Sequence, residues 1–292
     1  MSLKIYLDGK MFNKEDAKIS VFDHGLLYGD GVFEGIRSYS SLVFKLNEHV
    51  DRLYESAHTI MLQIPINKKQ MIKAIIDTLK INKLKDAYIR VVVTRGVGDL
   101  GLDPRKCKVA TIIIITDNIV LYPKELYQKG LEIITVPTVR NLANAIDPQV
   151  KSLNYLNNIM AKIEATNSGY QEAIMLNSMG LVAECTGDNI FLIKNKQLYT
   201  PPQSMGTLRG ITRDAVMEIA KKAKIKTHES MLTRHEVFNA DELFLTGTAA
   251  EVIPVVKVDS RLIGDGKPGK ITLSLLNEFN KITRKDGVKY TV

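Results

Sequence analysis

Apolar positions recur along this chain with two periods. Every-second-residue alternation runs through Ala87–Arg95, so Tyr88, Arg90 and Val92 share one face of a predicted strand. Three-and-four spacing marks predicted helices. Val50, Leu53, Tyr54 and Ala57 follow a candidate N-cap at Asn47, with Arg52 off that stripe. Met71, Ile72, Ile75, Ile76 and Leu79 line a helix over Lys69–Leu79. Leu156, Ile159, Met160 and Ile163 form the apolar stripe of another amphipathic helix, ending at Asn167-Ser168-Gly169. Ala215, Val216, Ile219 and Ala220 line another helix, and Lys267–Ile282 closes the set. Short apolar runs predict strands at Val43–Leu46, Lys108–Thr116, Leu131–Pro137, Ala173–Leu176, Leu181–Glu184, Ile190–Lys194 and Leu198–Thr200, and on either side of a small-residue turn within Leu243–Pro254. Asp8-Gly9 between Ile5 and Phe12 predicts a hairpin, and Asn177–Gly180 a turn.

Composition narrows the class. The chain has 292 residues, 45% apolar and 25% charged, which suits a globular protein of one large or two medium domains. No apolar run reaches membrane-spanning length, and the N-terminus lacks a signal peptide's apolar core, so cytoplasm is the expected location. Cys107 and Cys185 fit no metal-ligand spacing, and the five histidines form no cluster, so no protein-bound metal is expected. The net charge of +8 comes from scattered lysines without an aromatic-studded basic stripe. That favours a solvated face that steers anionic substrates over nucleic-acid binding. The polar-flanked stretch around Tyr122-Pro123 is the candidate interdomain connection. It divides the chain into a domain at 1–119, a loop at 120–130 and a domain at 131–292.

Candidate chemistry centres on Lys151 and Glu184. Lys151 precedes the Leu156 helix between Val150 and Leu153 with no acid beside it, a setting suited to an amine that must react as a nucleophile. Phe22–Tyr39 carries glycines at 25, 29, 31 and 35, which suggests tight turns or close backbone approach. Arg90 shares a strand face with Tyr88, a placement apt for a carboxylate. Gly210-Ile211-Thr212 opens a helix, where unpaired N–H groups favour an anion.

In order, the motifs are Tyr28-Gly-x-Gly-Val-Phe33-Glu-Gly-Ile-Arg, His49-x-x-Arg52-Leu, Tyr88-x-Arg90, Lys151-Ser-Leu-Asn-Tyr155-Leu-Asn-Asn, Glu184-Cys-Thr-Gly-Asp-Asn, Gly210-Ile-Thr-Arg-Asp and Gly247-Thr248-Ala249-Ala250. Together they resemble the class IV aminotransferases of fold type IV, and among them the branched-chain amino acid aminotransferases. The resemblance implies an α+β fold with a smaller N-terminal α/β domain and a larger C-terminal mixed-sheet domain. It implies pyridoxal 5'-phosphate held as a Schiff base on Lys151. Glu184 would meet the pyridine nitrogen and Tyr155 the ring hydroxyl, while Arg52, Gly210, Ile211, Thr212, Gly247 and Thr248 would hold the phosphate. Tyr28, Phe33, Tyr88, Arg90, Thr248 and Ala249 would bind substrate. The implied reaction is transamination of leucine, isoleucine or valine with 2-oxoglutarate. The partners are then small amino acids and 2-oxo acids, with neither nucleic acid nor membrane, in a homodimer or larger homo-oligomer whose loop at Val97–Pro104 completes a neighbouring site. D-amino acid aminotransferase and aminodeoxychorismate lyase share the Lys and Glu, but the complete Phe-Glu-Gly-Ile-Arg and Tyr-x-Arg motifs argue against them. A non-enzymatic basic binding protein is the alternative from another class.

Overall fold

The computed structural model describes residues 2–118 and 122–292. In chain order the first elements are β1 (Lys4–Leu7), β2 (Lys10–Asn13), α1 (His24–Tyr28), β3 (Gly31–Tyr39), β4 (Leu42–Phe44), α2 (Leu46–Thr59), α3 (Lys68–Ile81), β5 (Ala87–Thr94) and β6 (Thr111–Asp117). Then follow α4 (Lys124–Lys129), β7 (Leu131–Thr135), α5 (Leu156–Asn167), β8 (Ala173–Leu176), β9 (Val182–Cys185), β10 (Asn189–Lys194), β11 (Gln197–Thr200) and α6 (Ile211–Lys222). The chain ends with β12 (Thr227–Glu229), α7 (Arg234–Phe238), β13 (Glu242–Gly247), β14 (Glu251–Val258), β15 (Arg261–Leu262), α8 (Lys270–Ile282) and β16 (Gly287–Lys289). They group into two units. The first takes the described residues up to 118 together with Val150–Asn154 and Thr283–Val292; the second takes the remainder. Residues 150–154 and 283–292, read from the sequence as part of the second domain, therefore lie in the first unit. Residues 120 and 121 of the expected linker lie outside the described residues. Beyond them Tyr122 is buried in the second unit's core and α4 begins.

The first unit is an antiparallel sheet ordered β16-β4-β3-β5-β6-β1-β2. Its opening hairpin turns through Asp8 (φ 47°) and Gly9 (φ 88°), with Leu7 opposite Lys10, the two-residue turn that Asp-Gly favours. α2 and α3 cover one face, packing Val50, Leu53, Met71, Ile75 and Leu79 against Ile36, Ile89, Val91 and Ile114. Tyr88, Arg90 and Val92 alternate with those buried residues and so share the other face, as the period-two pattern predicts. Two local expectations shift. α2 begins one residue before Asn47, behind Lys45 in the left-handed region at φ 50°, whose ammonium lies 2.8 Å from Asp286 and 3.2 Å from Glu48. The glycine-rich stretch contains α1, capped by the Asp23 carboxylate, which accepts from the Gly25 N–H at 2.8 Å.

The second unit is a mixed sheet ordered β12-β11-β10-β13-β14-β7-β8-β9, with β15 on the side of β14. α6 and α8 pack together and lie against β13. α5 departs from its sequence pattern. Its apolar stripe faces outward: Leu156 is 69% exposed, Ile159 50%, Met160 47% and Ile163 45%. The buried side is Asn158, Ala161 and Ala165, set against Val136, Ala173 and Met175. Small side chains let the helix lie close to the strands, and Asn158 is tolerated there because it donates to the Thr186 carbonyl at 2.8 Å and accepts from Arg140 at 3.0 Å.

Candidate active site

In the first unit, Lys151 sits on a short extended segment beside β3. Along β3, β4 pairs with Ser38 and Tyr39, so the N-terminal half of β3 has an edge that β4 does not cover. Val150–Asn154 takes it: the Phe33 N–H donates to the Lys151 carbonyl at 3.0 Å, and the Leu153 N–H to the Gly31 carbonyl at 2.9 Å. The Lys151 N–H donates in turn to the Ser56 hydroxyl of α2 at 3.1 Å. The lysine backbone is thus fixed on both sides. Its Nζ lies 4.6 Å from the centre of the Phe33 ring, and the Arg90 guanidinium lies 4.5 Å from the same ring and 5.5 Å from that of Tyr88. Phe33, Tyr88, Arg90 and Lys151 therefore meet on one sheet face, two cations against one aromatic. Tyr28, at the end of α1, makes its hydroxyl contact elsewhere, accepting from the Gly101 N–H at 3.0 Å.

Arg52 faces inward, contrary to its place off the apolar stripe. It is buried because Glu34 receives it: Nε donates to Oε1 at 2.7 Å and Nη2 to Oε2 at 2.9 Å. This two-bond grip fixes the guanidinium plane. His49 Nδ1 lies 2.8 Å from Glu34 Oε2. Burial alone would raise the Glu34 carboxyl, but Arg52 and then His49 outweigh it and hold it well below the ordinary range. Burial lowers His49, and Glu34 opposes that only in part. The histidine is therefore the neutral member and donates its Nδ1–H to an acceptor-only carboxylate. This triad was missed from sequence, although an acid between Val32 and Ile36 on an apolar strand face was a signal.

In the second unit, both oxygens of Glu184 are occupied by protein donors. Oε1 accepts from Arg140 Nε at 3.0 Å and Nη2 at 2.8 Å. Oε2 accepts from the Leu208 N–H at 2.9 Å, Thr207 Oγ1 at 3.2 Å and Asn189 Nδ2 at 3.3 Å. Such a set holds the carboxylate in one orientation. Arg140 and Asn189 carry no sequence signal that marks them for this role.

Nearby in chain order, Gly210 caps α6 without a side-chain cap, so the first N–H groups at Ile211 and Thr212 have no intrahelical acceptor. After β13, Gly247-Thr248-Ala249-Ala250 turns into Glu251 at φ 60°, and Tyr127 of α4 donates to the Ala250 carbonyl at 3.0 Å. Both glycines are enforced by crowding. A β-carbon on Gly210 would lie 1.9 Å from Asn189 Oδ1, and one on Gly247 2.0 Å from Asp188 Oδ1. Thr246 Oγ1, buried just before the turn, has no hydrogen-bond partner among the described residues. Tyr155 lies half-buried at the start of α5. Among the described residues no group of three or more His, Cys, Asp or Glu could hold a metal ion, and no helix is long and apolar enough to cross a membrane.

The chain belongs to the amino-transferase class IV family, whose model matches residues 31–258. A relative from Methanocaldococcus jannaschii is 52% identical over 287 residues, spanning 98% of this chain and 99% of its own. The crystal structure of the Escherichia coli branched-chain amino acid aminotransferase superposes with a TM-score of 0.95 at 34% identity, covering 99% of this chain and 98% of that one. The T.th. branched-chain amino acid aminotransferase complexed with N-(5'-phosphopyridoxyl)-L-glutamate superposes with a TM-score of 0.92 at 35% identity, covering 98% and 95%. The α+β, fold type IV architecture expected from the sequence is the one observed.

Proposed function

We propose that the chain is a pyridoxal 5'-phosphate enzyme that moves the amino group of leucine, isoleucine or valine to 2-oxoglutarate, giving the 2-oxo acids and L-glutamate. The observation that carries this reading is the meeting of Lys151, Phe33, Tyr88 and Arg90 on one sheet face. An amine, two aromatic rings and a guanidinium within one patch support an aldehyde-binding lysine beside a wall for an apolar side chain and an anchor for a carboxylate. The names of the E. coli and T.th. relatives, and the phosphopyridoxyl-glutamate bound to the latter, support the same substrates and cofactor.

The second unit's residues fit the cofactor. The uncapped start of α6 and the turn after Gly247 offer N–H groups and hydroxyls to a phosphate, and the unpartnered Thr246 hydroxyl adds an unused polar atom beside that turn. When bound, the cofactor supplies a conjugated ring that accepts the electron pair released at the substrate Cα. Lys151 Nζ is its point of attachment, and when disengaged is the base that takes and returns a proton at that carbon. Glu184, oriented by Arg140 and the Leu208 N–H, would face the ring nitrogen and favour its protonated form; Tyr155 would bond the ring hydroxyl. For the phosphate, this reading assigns Arg52, oriented by Glu34, in the first unit, and Gly210, Ile211, Thr212, Gly247 and Thr248 in the second. Thr248 and Ala249 take the α-carboxylate. Tyr28 and Phe33 wall the side chain. Tyr88 and Arg90 take the second carboxylate of glutamate or 2-oxoglutarate.

The working form in this reading is a homo-oligomer. The outward apolar stripe of α5 is the supporting feature, since a second copy would cover it. A panel of amino donors with 2-oxoglutarate tests the activity, together with Arg90→Ala. Leucine, isoleucine and valine should all serve. A desolvated charge-assisted pair is worth about 1.5–3 kcal/mol, so Arg90→Ala should raise KM for 2-oxoglutarate roughly 10- to 150-fold while the leucine half-reaction falls much less. Parallel losses for both substrates in a folded variant contradict the carboxylate role, and activity confined to D-amino acids contradicts the function.

A further inference from the structure

His24 has no part in the reaction described above, yet it is 1% exposed and held by its backbone and its ring. Its backbone N–H donates to the Gly96 carbonyl at 2.9 Å. Its ring Nε2 lies 3.0 Å from the Asp99 carbonyl. A carbonyl can only accept, so Nε2 carries the proton and donates. The ring also meets Tyr28 edge-on, with centroids 5.0 Å apart and planes at 88°. The Tyr28 hydroxyl in turn accepts from the Gly101 N–H at 3.0 Å.

These contacts close a circuit: imidazole to the Asp99 carbonyl, along the loop to Gly101, back to the Tyr28 phenol and across to the imidazole. The loop lies so close that a β-carbon on Gly98 would sit 3.1 Å from His24 Nε2 and 2.6 Å from Cys107 Sγ. The base of the circuit is rigid as well. Asp23, fully buried, caps α1 and accepts from the Thr94 hydroxyl at 2.8 Å. Tyr28 therefore has its ring direction set by His24 and its hydroxyl set by a loop that His24 also holds.

We propose that His24 is a positioning residue for the substrate side-chain pocket: it holds the Tyr28 ring and the loop at residues 97–101 as one piece, and so sets how closely the pocket fits an apolar side chain. This rests on the aminotransferase reading, in which Tyr28 is a pocket wall. A loosened wall costs the longer side chain more of its contact than the shorter one. Discrimination should suffer before turnover does.

The test compares kcat/KM for L-leucine and for L-2-aminobutyrate, two carbons shorter, in the holoenzyme and in His24→Ala, His24→Phe and His24→Gln. A single methylene in an apolar pocket is worth roughly 10- to 200-fold, so partial loosening should lower the leucine-to-aminobutyrate ratio by about five- to tenfold. KM for leucine should carry the loss and kcat should hold. His24→Phe keeps a ring against Tyr28 but cannot donate to Asp99; it carries the same expectation if His24→Ala does not fold. His24→Gln, which can donate, should recover at least half of the ratio. An unchanged ratio in a folded His24→Phe, or equal loss in the Gln and Phe variants, overturns the positioning role while leaving the aminotransferase reading intact. Wild-type holoenzyme inert toward leucine overturns both.

Discussion

The phenol of Tyr88 lies directly over the backbone of Gly35: a β-carbon built on that glycine would be 2.1 Å from the Tyr88 hydroxyl oxygen. Gly35 stands opposite Arg90 in the β3–β5 register, so this crowding occurs on the face that carries Phe33, Arg90 and Lys151. The displaced atom is the tip of a side chain that can swing, so the fold should absorb a methyl group while the pocket does not. Gly35→Ala should leave the melting temperature nearly unchanged and lower kcat/KM about tenfold, the scale of one lost hydrogen bond of about 1–1.5 kcal/mol. Because both changes act through one phenol, Gly35→Ala with Tyr88→Phe should cost much less than the sum of the two. Additive losses in steady-state kinetics contradict the coupling.

Glu184 and Arg140 form a buried pair whose members depend on each other. Removing one partner leaves the other uncompensated, so Arg140→Ala should destabilise by about 3–5 kcal/mol in denaturant unfolding. Glu184→Gln keeps shape but loses charge. It should lower kcat for leucine about 10²- to 10³-fold, as loss of a preorganised electrostatic partner does, with far less change in KM. Equal turnover in the Gln and Glu forms shows a structural carboxylate only.

The Glu34–His49–Arg52 triad ties stability to pH with a definite sign. Both Glu34 and His49 have folded-state values below their ordinary ones, so the unfolded chain binds more protons over each window and stability falls as pH falls. His49 acts below about 6.5, as pH descends toward its folded value; Glu34 acts below about 4.3, as pH descends toward its own. Unfolding free energies measured from pH 8 down to 4 should therefore decline, first below about pH 6.5. His49→Gln, which keeps a donor toward Glu34, should flatten that upper part and leave the lower one. An unchanged profile in His49→Gln shows that other groups set it.

The stripe at Leu156, Ile159, Met160 and Ile163 should report assembly. Wild-type protein should sediment as a dimer or larger, and Ile159→Asp with Met160→Glu should sediment as a folded monomer. Each of these side chains is already open to solvent within one chain, so charge there should disturb association and not the fold. A wild-type monomer, or an unaltered oligomer in the double variant, contradicts that surface.

The same helix shows what periodicity can and cannot say. Its apolar spacing was plain in the sequence, but spacing reports that a face is apolar and not what covers it. Alanines took the inward side because they allow close approach. Local patterns were legible: the Asp8-Gly9 hairpin, the alternation that puts Tyr88 beside Arg90, and the start of α6 at Gly210-Ile211. The Lys151 segment was not, because its strand-like pairing is with Gly31 and Phe33, far earlier in the chain. Glu34 with Arg52, and Arg140 with Glu184, were illegible for the same reason. Each residue alone reads as an ordinary charge, and only the fold brings the partners together.

Chemical trapping tests most directly whether Lys151 is the reactive amine, on which the proposed function turns. Protein reconstituted with pyridoxal 5'-phosphate should be yellow. Borohydride should then fix the cofactor irreversibly to the peptide that contains Lys151, as read by mass spectrometry, and Lys151→Ala should show neither colour nor label while unfolding at nearly the wild-type temperature. A label on another lysine such as Lys162, or no chromophore after reconstitution, contradicts that role.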